Sequence, residues 1–141
     1  MTDRVDSATR SWNMSRVRAR DTAPEIVVRR ALHAAGYRFR LHRRDLPGCP
    51  DIVLVRCRVA IFVHGCFWHQ HKGCPKSTLP VQNHAFWKKK LTANRHRDVR
   101  NEAALTALGW TVFVLWECEL KADMDAPLSR LKHAIRVLAE A

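Results

Sequence analysis

Pro50-Asp51-Ile52-Val53-Leu54-Val55-Arg56-Cys57-Arg58-Val59-Ala60-Ile61-Phe62-Val63-His64-Gly65 is the stretch that decides the fold. Two apolar runs flank the polar Arg56-Cys57-Arg58. Short runs rich in β-branched residues are strands, and unbroken apolar character means burial on both faces. The three residues between them turn the chain, so Val59–Val63 returns as the neighbour of the strand that Asp51 begins. Upstream, Thr22-Ala23-Pro24-Glu25 is a capping-box pattern with proline tolerated in the first turn. The helix it starts carries Ile26, Val27, Leu32 and Ala35, and Gly36 stops it. Tyr37–Leu41 alternates like a short strand, and Leu46-Pro47-Gly48-Cys49-Pro50 is turn chemistry. Downstream, Asn83–Leu108 reads as a long helix ended by Gly109, Trp110–Trp116 as a third apolar strand, and Pro127–Ala139 as an amphipathic helix. On the long helix, Phe86 is expected to share the buried face with Leu91, and Trp110 and Trp116 are expected in the core. The expected fold class is α/β, a compact sandwich.

Composition bounds the partners. The 141 residues suffice for one domain with a real core, and 47% apolar content excludes a basic disordered tail. Lys and Arg total 25 against 13 Asp and Glu, a formal charge of +12, which favours a polyanion such as nucleic acid. The charge is clustered: residues 1–44 hold eleven Arg and four acids, and residues 88–100 hold six Lys or Arg and one acid. No apolar run approaches the roughly 20 residues of a membrane span, and no signal-peptide core is present. Residues 1–20 are polar and Arg-rich, with Trp12, Met14 and Val17 as the main apolar positions, and read as an arm. Residues 21–141 are then the single folded domain.

The second strand runs into His64-Gly65-Cys66-Phe67-Trp68-His69-Gln70-His71-Lys72-Gly73-Cys74, which packs three His, two Cys and a Phe-Trp pair into eleven residues. Five cysteines, an odd number with metal-like spacing, suit a reducing cytosol better than a disulfide framework. Cys66, His71, Cys74 and Cys118 form a plausible tetrahedral zinc set, with three local ligands and one arriving past the third strand. Four protein ligands leave no open position, so the ion would be structural. Spacing alone leaves His69 as eligible as His71. Cys49 and Cys57 have no partner spacing and read as structural.

Pro50-Asp51 at a strand start, followed by a hairpin partner, resembles the entry to nuclease cores that cut phosphodiesters with Mg²⁺, where a carboxylate can hold the hard cation beside the scissile phosphate. The common version has Glu-x-Lys on the second strand; here the matching stretch is Phe62-Val63-His64.

These residues together resemble the very short patch repair (Vsr) endonucleases of bacteria. The resemblance spans nearly the whole chain: Ala8-Thr9-Arg10-Ser11 with Asn13-Met14, Arg20-Asp21-Thr22, Glu25, Leu46-Pro47-Gly48, Pro50-Asp51 and His64-Gly65-Cys66-Phe67-Trp68-His69. It continues through Phe86-Trp87, Asn94, Arg97-Asp98, Gly109-Trp110 and Trp116-Glu117-Cys118. Lys72-Gly73-Cys74 departs from a shorter spacing that also occurs in the family.

The resemblance implies a restriction-endonuclease-like core, a small mixed sheet flanked by helices, with one structural zinc. It implies nicking 5′ of the T in a T:G mismatch, the product of 5-methylcytosine deamination. Asp51 matches the family's Mg²⁺-binding carboxylate, and Val63 supplies the matching backbone carbonyl. His69 matches the general base and Asp98 the carboxylate that orients it. Glu25 and His64 match residues near the metal-bound water and the scissile phosphate. Two Mg²⁺ ions are expected, stabilising attacking and leaving oxygens. Phe67, Trp68 and Trp87 match aromatics that intercalate beside the mismatch, with Met14 of the arm near the site. Lys88 and Lys89 would neutralise phosphates. The expected substrate is double-stranded DNA with a T:G mismatch. The expected protein is a cytoplasmic, nucleoid-associated monomer with no membrane contact and a functional link to a DNA cytosine methyltransferase. The competing readings are another Mg²⁺-dependent nuclease of this core, or a non-catalytic zinc module for DNA.

Overall fold

A computed structural model describes residues 22–140. The expected arm at residues 1–20, and Met14 with it, lies outside the described residues. Helix α1 (Ala23–Ala34) begins at Thr22, whose hydroxyl accepts the Glu25 amide, and Pro24 occupies its first turn. Gly36, at φ +87°, ends it in the left-handed conformation that a residue without Cβ adopts freely. Strand β1 is only Arg40–Leu41, shorter than the alternation from Tyr37 implied. Tyr37 and Phe39 pack instead against the core as partly buried side chains.

Strands β2 (Ile52–Leu54) and β3 (Val59–His64) pair antiparallel in the register Ile52↔Ile61, Val53↔Ala60, Leu54↔Val59, around a turn in which Arg58 takes φ +56°. Helix α2 (His84–Ala107) then carries the chain back to β4 (Thr111–Trp116), which pairs parallel to β3 from Val59↔Thr111 to His64↔Trp116. The result is a mixed four-stranded sheet in the order β1-β2-β3-β4. A short helix α3 (Glu117–Ala122), which no sequence signal announced, leads to α4 (Asp125–Glu140).

Strand periodicity sorts the core into two layers. Val59, Ile61 and Val63 of β3 join Val28 and Leu32 of α1 and Leu128, Leu131 and Ile135 of α4. Ala60 and Phe62 point the other way and join Val53, Leu105 of α2, and Trp110. Every β3 residue is buried, as its apolar run required. Each fully buried Ile or Leu contributes about 1.5–3 kcal/mol by leaving water.

Helix α2 corrects one expectation. Trp87 (7% exposed), not Phe86 (52%), shares the inward face with Leu91. The spacing explains it: Trp87, Leu91 and Asn94 recur at i, i+4 and i+7, whereas Phe86 lies five residues from Leu91 and is rotated off that face. The same stripe continues to Asp98, so a carboxylate on a mostly polar helix is carried inward, toward the end of β3. Among the described residues no helix is long and apolar enough to cross a membrane.

Candidate active site and metal centre

The antiparallel register builds the site. Asp51 immediately precedes β2, so it lies beside the last residues of β3, and its Oδ2 accepts the Val63 amide at 2.7 Å. His64 closes β3 and His69 follows in the next loop; their rings stack with centroids 3.7 Å apart and planes within 3°. From α2, Asp98 Oδ2 lies 2.6 Å from His69 Nδ1. A carboxylate accepts only, so His69 Nδ1 carries the hydrogen, and in a neutral ring Nε2 then keeps its lone pair. Glu25 of α1 is buried (4% exposed) and accepts from Arg29 at 3.0 Å. Glu25, Asp51, His64, His69 and Asp98 all line one cleft of about 520 Å³, with Phe67 and Trp68 at its wall.

Burial dominates the electrostatics. It pushes the Asp51 carboxyl up to about 7, with Glu25 adding to the rise and the Val63 amide, His69 and Arg29 opposing it. The charged form is therefore costly here, and a nearby positive charge would lower that cost. Burial, with His69 adding to it and Asp98 opposing, also holds His64 down to about 3. His64 is thus a neutral imidazole across the working range. It is 5% exposed, its Nδ1 has no hydrogen-bond partner among the described residues, and its ring meets Trp116 edge-on at 5.1 Å.

A second cluster lies at the other end of the loop. Cys66 Sγ, His71 Nδ1, Cys74 Sγ and Cys118 Sγ all fall within 4.8 Å of one another. His71 Nδ1 is 3.7 Å from Cys66 Sγ and 3.3 Å from Cys118 Sγ. Tetrahedral zinc with bonds of about 2.3 Å to sulfur and 2.0–2.1 Å to nitrogen separates S from N by about 3.5 Å. The donors fit such an ion. Burial, with the neighbouring Cys118 and Cys74 thiols adding to it, pushes the Cys66 thiol up to about 12. His71 stacks on Trp116 at 4.1 Å, which fixes its ring, and the Cys66 amide donates to Glu117 Oε1 at 3.1 Å. His69 faces Asp98 and is not in this cluster. The ambiguity that spacing left between the two histidines is thereby a geometric difference.

The aromatics form a continuous edge-to-face group: Phe67 with Trp68 at 5.3 Å, Trp68 with Trp87 at 6.1 Å, and Phe86 with Trp87 at 5.2 Å. Lys90 Nζ lies 5.9 Å from the Trp68 ring. Lys88 and Lys89 are exposed on the same helix. Asn94 anchors the loop by donating to the Trp68 carbonyl at 3.2 Å.

Sequence reasoning missed two residues here. His42 lies 3.6 Å from Glu25 and 3.9 Å from Asp51. Glu117 lines the cleft while its Oε1 accepts the Cys66 amide. Glu117 was part of the matching Trp116-Glu117-Cys118 stretch but was given no role; His42 had no periodic or motif signal.

Comparison with known proteins follows this geometry. The family described as DNA mismatch endonuclease Vsr matches residues 2–76. The chain is 52% identical over 135 residues to the type II nicking enzyme V.XorIIP of Xanthomonas oryzae, covering 96% of this chain and 98% of that one. It is 43% identical over 121 residues to the DNA mismatch endonuclease Vsr of Escherichia coli, covering 86% of this chain and 77% of the relative. It is 39% identical over 141 residues to the nicking enzyme V.NmeAIP of Neisseria meningitidis, covering 100% and 99%.

Proposed function

Because the chain belongs to the Vsr family of DNA mismatch endonucleases, we propose that it nicks duplex DNA 5′ of the T in a T:G mismatch and so starts the repair of deaminated 5-methylcytosine. The observation that carries the reading is the single cleft into which Asp51, His69 with Asp98, His64 and Glu25 converge. The proposed domain is a restriction-endonuclease-like core over residues 21–141, with residues 1–20 as a DNA-contacting arm that brings Met14 near the site.

Asp51, with the Val63 carbonyl, would hold Mg²⁺, and Glu25 lies near enough to take part in the water around it. Bound there, one or two Mg²⁺ ions would supply charge stabilisation for the attacking and leaving oxygens. His69 Nε2 takes the proton of the attacking water, while Asp98 fixes the tautomer and would stabilise the imidazolium that results. His64, held neutral, donates a hydrogen bond to the scissile phosphate without competing with the cation for charge. Cys66, His71, Cys74 and Cys118 hold a structural zinc that ties the aromatic loop to the end of β4. The enzyme would act as a cytoplasmic, nucleoid-associated monomer, working behind a DNA cytosine methyltransferase.

His69→Ala is expected to lower the single-turnover nicking rate by about two to four orders of magnitude, the range of a lost general base. Its zinc content should stay at one per chain, because His71 is the proposed ligand. Loss of zinc in His69→Ala with retention in His71→Ala would reverse the two assignments.

Mismatch selectivity is assigned to the aromatics. Inserting a wedge unstacks a base step at a cost of a few kcal/mol, least at a mismatch. Trp68→Ala should weaken binding to a T:G duplex more than to its T:A parent, by about 1–3 kcal/mol for a lost stacked ring. Lys89→Ala should weaken both alike and lower the salt slope, as a phosphate contact does. Trp87 is buried in this structure, so it would join the wedge by the loop and helix rearranging on DNA; Trp87→Ala is expected to lower thermal stability before any DNA is added. Equal losses for matched and mismatched duplexes in a folded Trp68→Ala would remove this loop from recognition. The activity itself is tested by offering all base mismatches in a library of flanking contexts with Mg²⁺. T:G should dominate, and preference for a fully paired site would point to a restriction-type enzyme of the same core.

A further inference from the structure

Behind Asp51 lie two polar side chains, Arg29 and His42, that the roles above do not use. Arg29 Nη2 donates to Glu25 Oε2 at 3.0 Å and lies 3.1 Å from His42 Nε2. A guanidinium offers only donors, so His42 Nε2 must be the acceptor. A neutral His42 then carries its hydrogen on Nδ1, and Nδ1 is 3.9 Å from Asp51 Oδ1. The other oxygen, Oδ2, is already taken by the Val63 amide. The backbones are tied as well, since the His42 amide donates to the Asp51 carbonyl at 3.1 Å, just beyond the pairing of Leu41 with Ile52.

His42 itself sits at φ +48°, a left-handed conformation that few residues other than glycine adopt. That conformation turns the side chain at the end of β1 toward Glu25 and Asp51.

We propose that His42 is a positioning residue for Asp51: Arg29 fixes its Nδ1–H tautomer, and that N–H, facing Oδ1, sets the plane of the carboxylate for the cation. Closing by roughly 1 Å would bring the pair into hydrogen-bond range. Asp51 is then steered from both sides, by the Val63 amide on one oxygen and His42 on the other, much as Asp98 steers His69. The inference rests on the reading of Asp51 as the Mg²⁺ ligand. Glu25, His42 and Asp51 have donor atoms within 4.8 Å of one another, so direct ligation through His42 is the competing outcome. Arg29 argues against it, because the guanidinium occupies Nε2 and adds positive charge where a second cation would sit.

The test has two readouts. The first needs no activity: long-range proton–nitrogen correlation spectra of the full chain labelled with ¹⁵N-histidine, without Mg²⁺, with the His42 signals identified by their absence in His42→Asn. The Nδ1–H tautomer is expected, and an Nε2–H tautomer overturns the proposal. Loss of the Nδ1 hydrogen on adding Mg²⁺, with the His42 nitrogen signals moving to those of a metal-bound imidazole, also overturns it. The second readout is nicking of a T:G duplex against Mg²⁺ concentration. His42→Leu should raise the half-saturating Mg²⁺ by about 10–100-fold, the usual effect of losing a group that orients a metal ligand. His42→Asn should restore it to near the parental value, since its amide offers an N–H near Nδ1 and tolerates the left-handed backbone. If His42→Leu fails to fold, the tautomer and the His42→Asn titration decide. Asp51→Asn is run in parallel. Parental nicking by Asp51→Asn would remove the active-site reading altogether. An inactive Asp51→Asn beside a folded His42→Leu with parental Mg²⁺ dependence would sink the His42 proposal alone.

Discussion

Asp51→Asn is expected to bind a T:G duplex nearly as tightly as the parent and to lose Mg²⁺-dependent nicking by about three orders of magnitude or more. The proposed carboxylate holds a cation and reads no base, so recognition and chemistry should separate at this residue. Metal ions contribute several kcal/mol of transition-state stabilisation, and each 1.36 kcal/mol is tenfold in rate. The same substitution should stabilise the Mg²⁺-free protein. Burial raises the Asp51 pKa from 3.8 to about 7. An acid whose pKa is higher in the folded chain than in the unfolded one binds extra protons on folding between those values. Folding stability contributed by the protonated form is therefore present below about pH 4 and lost as pH rises toward 7. Above pH 7 the ionised carboxylate costs at most about 4 kcal/mol, which Asn does not incur. Thermal melts of parent and variant without Mg²⁺ should diverge at pH 8 and converge near pH 4. Equal melting at pH 8, or nicking near the parental rate, would place the cation elsewhere.

Cys118→Ser is expected to lose the bound zinc and several kcal/mol of stability, a large share of the roughly 5–15 kcal/mol that holds a domain together. Cys118 lies in the first turn of α3, and the other three proposed ligands lie on the loop after β3. Removing it would free that loop from the β4 end of the sheet, and the loop carries Phe67, Trp68 and His69. Mismatch binding and nicking should therefore fall together with stability. Cys57→Ser is the control: Cys57 only packs against the core and should keep its zinc and most of its melting temperature. Elemental analysis and melting curves on the two variants separate the outcomes. A zinc-free parent that melts unchanged in chelator would remove the structural metal from the account.

The β2–β3 hairpin was legible because two apolar runs around three polar residues admit little else, and the hairpin brings Asp51 to Val63. Cys118 was legible at long range because thiols and imidazoles are dense in so few residues. The face of α2 was misread at Phe86, since adjacent aromatics differ by about 100° around a helix and only the register with Leu91 and Asn94 distinguishes them. Glu25 was ambiguous by nature: its amide does meet Thr22, as a helix cap requires, while its carboxylate turns into the cleft toward Arg29. His42 was invisible because its position depends on a left-handed backbone angle and a short strand register, neither of which leaves a periodic trace.

One cleft, built around Asp51 and His69, is proposed to nick one strand at a T:G pair. Mapping the nick tests this most directly. A duplex with a single T:G pair, end-labelled on each strand in turn, is incubated with the protein and Mg²⁺ beside its T:A parent. One break is expected, 5′ of the mispaired T and on that strand only, absent from the T:A duplex and absent without Mg²⁺. Cleavage of both strands, equal cleavage of the T:A parent, or binding with no break at any Mg²⁺ concentration would contradict it.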